Sequence, residues 1–111
     1  MINTDLLIIG AGPCGLFAVF EAGLLKLKCH LLDVLPQPGG QLTEIYPKKP
    51  IYDIPGLPNV LAADLIQNLM KQIAHCHPGF TLGERAEIIT KESSGKFIVT
   101  TNKGSQIGAS V

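Results

Sequence analysis

The chain has 111 residues, close to the commonest size of a single domain, so it can bury one hydrophobic core. Nine basic residues balance nine acidic ones and only 16% of the residues are charged, so charge gives no reason to expect nucleic acid or an anionic membrane surface as a partner. A hydrophobic content of 46% without tryptophan is typical of a parallel sheet covered by helices.

The cysteines and histidines indicate neither a disulfide scaffold nor a metal site. Cys14, Cys29 and Cys76 form no CxxC pair, and a reducing cytoplasmic setting is therefore expected. His75, Cys76 and His77 are consecutive, and consecutive residues of a helix point in different directions. A helix end, where positive charge is favoured, is the preferred interpretation over a shared metal ion.

Residues 6–25 are long and apolar enough to raise the question of a membrane span. Gly10, Gly12, Pro13 and Gly15 interrupt the run in its middle, which favours two elements over one membrane helix. The opening residues MINTD carry no basic side chain, so an export signal is disfavoured as well.

The interrupted run predicts a strand followed by a helix. Residues 5–9 are a short apolar strand, and residues 13–22 follow a helical pattern in which Pro13 suits the first turn. Gly23 is expected to end the helix in a left-handed conformation. The helix is apolar nearly all round, so we expect it to be enclosed. Residues 29–34, CHLLDV, predict a second strand, which the helical crossover makes parallel to the first.

The segment 34–61 differs in composition, since six of the eight prolines fall between Pro36 and Pro58. This spacing predicts neither a helix nor a long strand. A structureless connection of this length is uncommon in a compact domain unless it is functional or disordered. The segment keeps several apolar and aromatic residues, so we expect an ordered, functional loop rather than a disordered linker.

The rest of the chain predicts one helix followed by strands. Apolar residues recur at helical spacing over 62–76, and a Pro-Gly pair ends the run. The residues FTL at 80–82 are a candidate third parallel strand. The stretches AEIITKES and KFIVTTN predict an antiparallel hairpin around a turn at 93–95, with a further turn at 102–104.

Three glycines form a GxGxxG pattern between the first predicted strand and the first predicted helix. Gly10 permits a tight turn, Gly12 lets a pyrophosphate approach the backbone, and Gly15 lets helix and strand pack closely. Free N–H groups at the helix start, together with the positive end of the helix dipole, form an anion site. Pro13 and Cys14 lie on this turn, and the backbone of Cys14 more than its thiol should face the phosphates. Dinucleotide binding is predicted, with a tight turn in some other sheet protein as the alternative.

Asp33 ends the second predicted strand, 18 residues after Gly15. A carboxylate at this point accepts hydrogen bonds from the ribose hydroxyls of an adenosine and repels a ribose phosphate, which disfavours NADP at this site. A strand-end residue in solvent is the alternative interpretation. The residues themselves leave FAD and NAD open.

The stretch PGGQLTEIYPKKPIYDIPGLP, residues 38–58, resembles the flavin loop of the ferredoxin-NADP reductases built on the thioredoxin reductase plan. In that family GGQ is followed by a YPxKxIYD run, which thioredoxin reductases proper usually lack. The resemblance extends through the AADLIQNLMKQ helix and the later hairpin, effectively over the whole chain. The departures are small: Leu57 stands where phenylalanine is frequent, and Cys14 occupies a variable position.

The resemblance implies an FAD site and gives roles to residues outside the glycine turn. Gly39 and Gly40 would let the backbone pass close to a flat ring, and Gln41 would offer its amide to polar atoms of the flavin or ribityl chain. Tyr46 would lie against the isoalloxazine, and the backbone of Ala86 would hold the adenine. The alternatives are that Gln41 and Tyr46 are plain loop residues and that Ala86 only fills a strand.

The resemblance also implies a function for the whole protein. A hydride would pass from NADPH to FAD, and the flavin would release single electrons to the iron-sulfur centre of ferredoxin. No catalytic side chain is indicated. A disulfide reductase, which needs a CxxC pair elsewhere, and a non-catalytic FAD or nucleotide-binding module are the alternatives. Related reductases are homodimers, so pairing of the whole protein is implied as well.

The resemblance sets the expected fold class and domain organisation. Residues 1–111 should be the amino-terminal part of a Rossmann-like α/β domain for FAD, with a parallel sheet, a long flavin loop and an antiparallel hairpin. The NADPH domain and the segment that completes the FAD site would lie outside these residues. We therefore expect the 111 residues alone to bind FAD weakly and to turn over nothing.

Overall fold

The computed structural model describes all 111 residues and has an α/β fold. In chain order the elements are β1 (Ile2–Thr4), β2 (Leu6–Ile9), α1 (Pro13–Leu24), β3 (Cys29–Asp33), α2 (Gln41–Glu44), β4 (Pro50–Ile51), β5 (Val60–Leu61), α3 (Ala62–Ile73), β6 (Gly79–Leu82), β7 (Ala86–Lys91), β8 (Phe97–Thr101) and β9 (Gln106–Ala109). One 3₁₀ turn, Ala74–Cys76, follows α3. The strands form three sheets, in the orders β2-β3-β6, β1-β9-β8-β7 and β4-β5.

The predicted βαβ unit is confirmed by β2, α1 and β3. β2 and β3 are parallel with Leu6 opposite Cys29, and β6 pairs with the other side of β3, also in parallel. Parallel neighbours need a crossover connection, which α1 supplies between β2 and β3. The strand predicted at 80–82 is thus present as β6. The glycine turn follows the carboxyl end of β2, the edge at which open parallel sheets bind ligands.

The core lies on both faces of the central strand β3, because successive strand residues point to opposite faces. Leu31 belongs to the larger cluster, with Leu16 and Val19 of α1 and with the buried face of α3. Leu32, the next residue, belongs to a second cluster with Val99 and Ile107 of the antiparallel sheet. Each of these side chains contributes about 1.5–3 kcal/mol when fully buried. Helices and antiparallel strands together hold β3 in place.

The amphipathic helix and the hairpin predicted in the second half are both confirmed. α3 buries Ala62, Leu65, Ile66, Leu69 and Ile73 at helical spacing. β7 and β8 are antiparallel, and β9 continues the meander after the second turn. The parallel pairing of β1 with β9 was not predicted, since a three-residue strand carries too little pattern to be recognised.

The expectation that Gly23 ends α1 in a left-handed conformation is wrong. The helix continues to Leu24, and the first positive φ after it, 60°, belongs to Lys26. Glycine is needed at position 23 for packing instead, because a Cβ atom there would lie 2.6 Å from the Cys76 sulfur. The glycine lets the end of α1 approach the turn that follows α3.

The expectation that α1 is enclosed is also wrong on one side of the helix. Leu16, Val19 and Ala22 are buried, whereas Phe17 is exposed and Leu24 is 64% exposed. No element of the 111 residues covers this outer side. None of the helices combines the length and the apolar character that crossing a membrane requires.

The prediction that the proline-rich segment 34–61 contains no helix is wrong, because residues Gln41–Glu44 form a short α-helix. The single-turn helix α2 fits between Pro38 and Pro47, and the Thr43 hydroxyl donates to the Pro38 carbonyl at 2.9 Å. β4 and β5 then pair in antiparallel fashion. Prolines therefore limit the length of the helix in this loop without preventing it.

Candidate functional site

The turn after β2 is tied to the sheet and needs glycine at its first position. Gly10 has a φ of 114°, which residues with a side chain rarely adopt. Its N–H donates to the Leu32 carbonyl of β3 at 2.7 Å. The tight turn predicted for Gly10 is present, and its position is fixed relative to β3.

Gly15 holds α1 against the strand that precedes it. A Cβ atom at Gly15 would overlap the carbonyl oxygen of Gly10 and would lie 3.3 Å from Cγ2 of Ile8. Any side chain here would push the helix away from β2. The close packing of helix and strand predicted for this glycine is the arrangement observed.

Gly12, by contrast, faces open space. A Cβ atom at its position meets no other atom within 4 Å, so no contact within this chain explains why the residue is glycine. Gly12 caps α1 without a side-chain hydrogen bond, and Pro13 occupies the first helical position. The first α-helical hydrogen bond runs from Leu16 N–H to the Gly12 carbonyl at 3.0 Å, which leaves the N–H groups of Cys14 and Gly15 without a helical acceptor.

The start of α1 has the chemistry of an anion site. Its first turn contains no acidic residue, and the helix dipole places partial positive charge at this end. Cys14 is exposed there. Free N–H groups, a vacant space in front of Gly12 and a first helical turn without acidic residues fit a diphosphate.

Asp33 is not the free strand-end residue of the alternative interpretation. Its Oδ2 accepts the N–H of Ala11 at 2.7 Å, and its Oδ1 accepts the N–H of Leu35 at 2.9 Å. The carboxylate thereby joins the end of β3 to the glycine turn. An ionised carboxylate offers about four acceptor positions, so two remain for the hydroxyls of a ribose.

The loop glycines contact the glycine turn directly. The Gly39 N–H donates to the Ala11 carbonyl at 2.8 Å. A Cβ atom at Gly40, where φ is 60°, would lie 3.4 Å from the Gly12 Cα. Two stretches 28 residues apart in the sequence therefore meet at Gly12.

Ala11 is a site residue that the sequence did not reveal. It is completely buried, and its N–H and carbonyl bind Asp33 and Gly39 respectively. Its contribution comes from its backbone, so the residue type gives no signal. Only its place inside the GxG pattern would have indicated it.

Gln41 and Tyr46 follow the loop glycines along the short helix. Gln41 is exposed at the start of α2, and its carbonyl accepts the Tyr46 N–H at 3.1 Å. The Tyr46 side chain is 48% exposed. Lys49, another residue that had no predicted role, places its Nζ 5.3 Å from the centroid of the Tyr46 ring.

Ala86 begins β7 opposite Thr101, next to a β-bulge. The segment before it is attached to β3, because the Glu84 N–H donates to the Asp33 carbonyl at 3.2 Å. The Thr101 hydroxyl donates to the Glu84 carboxylate at 2.6 Å, and this bond, followed by one from Ser105, lowers the pKa of Glu84. Ala86 is thus connected to Asp33 through Glu84.

The structure therefore joins most of the predicted site residues into one surface. Direct contacts connect the glycine turn, Asp33 and the loop glycines. Gln41, Tyr46 and Ala86 are attached to that group through the backbone.

No protein-family model matches the chain. Ferredoxin--NADP reductase from Flavobacterium johnsoniae is 72% identical over 111 residues, which are 100% of this chain and 32% of that protein. Ferredoxin--NADP reductase 1 from Christiangramia forsetii is 73% identical over 111 residues, 100% of this chain and 31% of that protein. The chain thus spans about a third of the length of the curated relatives it matches.

A solved structure shows the same fold at much lower sequence identity. The thioredoxin reductase from Streptococcus pyogenes superposes with a TM-score of 0.81 over 97% of this chain and 33% of that chain, at 21% identity. Similarity at this level supports the fold alone. By its sequence, the chain is homologous over its whole length to ferredoxin--NADP reductases, and its fold is that of the thioredoxin reductase plan.

Proposed function

We propose that residues 1–111 are the FAD-binding part of a reductase that passes electrons between NADPH and ferredoxin. Identity of 72% along the whole chain to a protein named ferredoxin--NADP reductase supports this function. A disulfide reductase has only the fold in its support, through a neighbour of 21% identity. The observation that carries the proposal is the open space in front of Gly12, which the flavin loop borders through Gly40.

In this proposal the chain binds and orients its cofactor and supplies no catalytic side chain. The N–H groups of Cys14 and Gly15 bind the diphosphate in front of Gly12, and the two remaining acceptor positions of Asp33 take the ribose hydroxyls.

The flavin loop and the β7-β8-β9 meander bind opposite ends of the cofactor. Gly40 and Gln41 border the flavin, Tyr46 lies against its ring, and the backbone of Ala86 receives the adenine. Bound flavin supplies the hydride and one-electron chemistry. Asp33 and Gly39 hold Ala11, so that the turn keeps its shape.

We also propose that the FAD domain and the enzyme need further chain. The relatives are about three times as long as these 111 residues. On the side of β2 that faces away from β3, the Leu7 N–H donates to the Val111 carbonyl at 2.9 Å and the Val111 N–H donates to the Asp5 carbonyl at 3.2 Å, which is the bonding pattern of a parallel bridge. A further parallel strand fits at this edge, and a second dinucleotide domain would bind NADPH. A homodimer is proposed for the whole protein.

The test is anaerobic mixing of the full-length protein with NADPH, followed by an acceptor. We expect the flavin absorbance to bleach and to return when oxidised ferredoxin is added. Return only with a disulfide substrate would favour a disulfide reductase, and failure to bleach would favour a non-catalytic module. Steady NADPH oxidation by residues 1–111 alone would contradict the proposal that these residues need further chain.

A further inference from the structure

Lys49 covers one face of the Tyr46 ring. Its Nζ lies 5.3 Å from the ring centroid, within the range of a cation–π interaction. The only salt bridge of the chain joins Arg85 and Glu87, so no carboxylate neutralises the Lys49 ammonium. The ring is thus the partner that the structure gives to this charge.

The turn that carries both residues is fixed to the core. The Lys49 N–H donates to the Tyr46 carbonyl at 3.1 Å, which closes the turn. The Ala62 N–H donates to the Lys49 carbonyl and the Ala63 N–H to the Pro47 carbonyl, both at 2.9 Å. These bonds satisfy two N–H groups at the start of α3 that have no helical acceptor. Because Ala62 is completely buried, these bonds attach the turn to the core.

The same turn is linked to the anion site. The Tyr46 N–H donates to the Gln41 carbonyl at 3.1 Å, and Gln41 follows Gly40, which borders Gly12. Tyr46 is 48% exposed although Lys49 covers part of it. A ring with a cation on one face and an exposed surface besides has room for a second flat group.

We propose that Lys49 is a positioning residue that orients the Tyr46 ring against the flavin and places a fixed positive charge behind it. The inference rests on the proposed function, since it takes Tyr46 as the flavin's neighbour. A positive charge on the far side of the ring favours the reduced flavin, which carries more negative charge than the oxidised form. A firmly held tyrosine also quenches the fluorescence of a flavin stacked on it.

The test compares Lys49→Gln with Lys48→Gln in the full-length protein loaded with FAD. Both substitutions remove one charge from the same turn, but Lys48 makes no cation–π contact. In Lys49→Gln we expect the fluorescence of the bound flavin to rise about twofold or more, because the cation–π contact that holds the Tyr46 ring is lost. At a fixed potential the ratio of reduced to oxidised flavin should fall about threefold, or about 14 mV for a two-electron couple. Lys49→Arg should restore both values.

A second pair of variants separates ring contact from general charge. In a Tyr46→Leu background, Lys49→Gln should leave the flavin fluorescence unchanged, because no aromatic ring remains to be oriented. Equal effects of Lys48→Gln and Lys49→Gln would overturn the inference, as would a Lys49→Gln protein with unaltered fluorescence and potential. Either result leaves the proposed function intact, whereas a full-length protein that takes up no flavin contradicts the proposed function itself.

Discussion

At the scale of single residues, the three glycines of the turn are required for different reasons. Gly10 adopts a backbone conformation that side chains disfavour, Gly15 leaves no room for a side chain, and Gly12 has room that the chain does not use. Only Gly12 is therefore explained by a ligand. This difference gives a test in which folding and binding separate.

Gly12→Ala should preserve the fold and lose FAD. The φ of −75° and ψ of −174° at Gly12 suit alanine, and the added methyl group contacts nothing in the chain. It would enter the space proposed for the diphosphate, so we expect FAD affinity in the full-length protein to fall by at least about tenfold, or about 1.4 kcal/mol. Gly15→Ala is the matched control and should lower both the FAD affinity and the melting temperature, because its Cβ atom would overlap the Gly10 carbonyl oxygen. Normal FAD affinity in Gly12→Ala would contradict the proposal that the diphosphate binds in front of Gly12.

His30 should make stability depend on pH. The ring is 8% exposed, its Nε2 lies 2.7 Å from the Thr81 hydroxyl, and burial lowers its pKa. Because the folded-state pKa lies below the unfolded value of about 6.5, the unfolded state binds more protons in mild acid. The free energy of unfolding is therefore highest above about pH 6.5. Below that pH the protonation of His30 in the unfolded state lowers it, by at most about 1.4 kcal/mol per pH unit for one proton.

Thermal unfolding of the full-length protein between about pH 7.5 and about pH 5.5 measures this dependence. His30→Leu should flatten it, while replacement of the exposed His75 by Gln should not. An unchanged pH dependence in His30→Leu would show that another group is responsible.

At the scale of elements, Gly23 illustrates a conflict between helix propensity and packing. Alanine in a helix interior is usually about 1 kcal/mol more favourable than glycine. Here the added Cβ would lie 2.6 Å from the Cys76 sulfur, and overpacking costs about 1–3 kcal/mol. We expect Gly23→Ala to destabilise the protein. Adding Cys76→Ala removes the obstructing sulfur and should recover the lost melting temperature. If Gly23→Ala alone were stabilising, the close approach of α1 to the turn after α3 would be refuted.

Elements with enough repeats of their period were predictable from the sequence. The apolar runs of β2 and β3, the helical spacing of α3 and the turn residues of the hairpin each carry a local signal. α2 was missed because a single turn shows no periodicity, and β1 was missed because its pairing with β9 is decided by tertiary structure.

The candidate site was predictable where its chemistry depends on residue type. The glycines and Asp33 follow from spacing in a βα turn, although the bond from Ala11 to Asp33 does not. The loop residues Gln41 and Tyr46 required a family resemblance, because a proline-rich segment has no period to interpret. Lys49 was missed because its partner is an aromatic face rather than a carboxylate.

At the scale of the whole molecule, the uncovered side of α1 is the main feature that these 111 residues leave unexplained. Leu24 and Leu25 are 64% and 73% exposed, and Phe17 and Leu27 are exposed beside them. Clustered apolar side chains at a protein surface usually mark a contact with other protein. The proposed domain organisation provides that contact, since the side of β2 that faces away from β3 is bonded only to Val111 and can take a further strand.

Leu25→Lys tests whether this surface is covered in the full-length protein. A buried leucine contributes about 1.5–3 kcal/mol, so a lysine there should lower the melting temperature of the full-length protein. The same substitution should improve the solubility of the isolated 111 residues, because in that chain Leu25 is 73% exposed. Gln72→Lys, on the exposed side of α3, adds the same charge and should change neither property. If Leu25→Lys left the melting temperature of the full-length protein unaltered, the outer side of α1 would face solvent there too, and the proposed covering by further chain would be wrong.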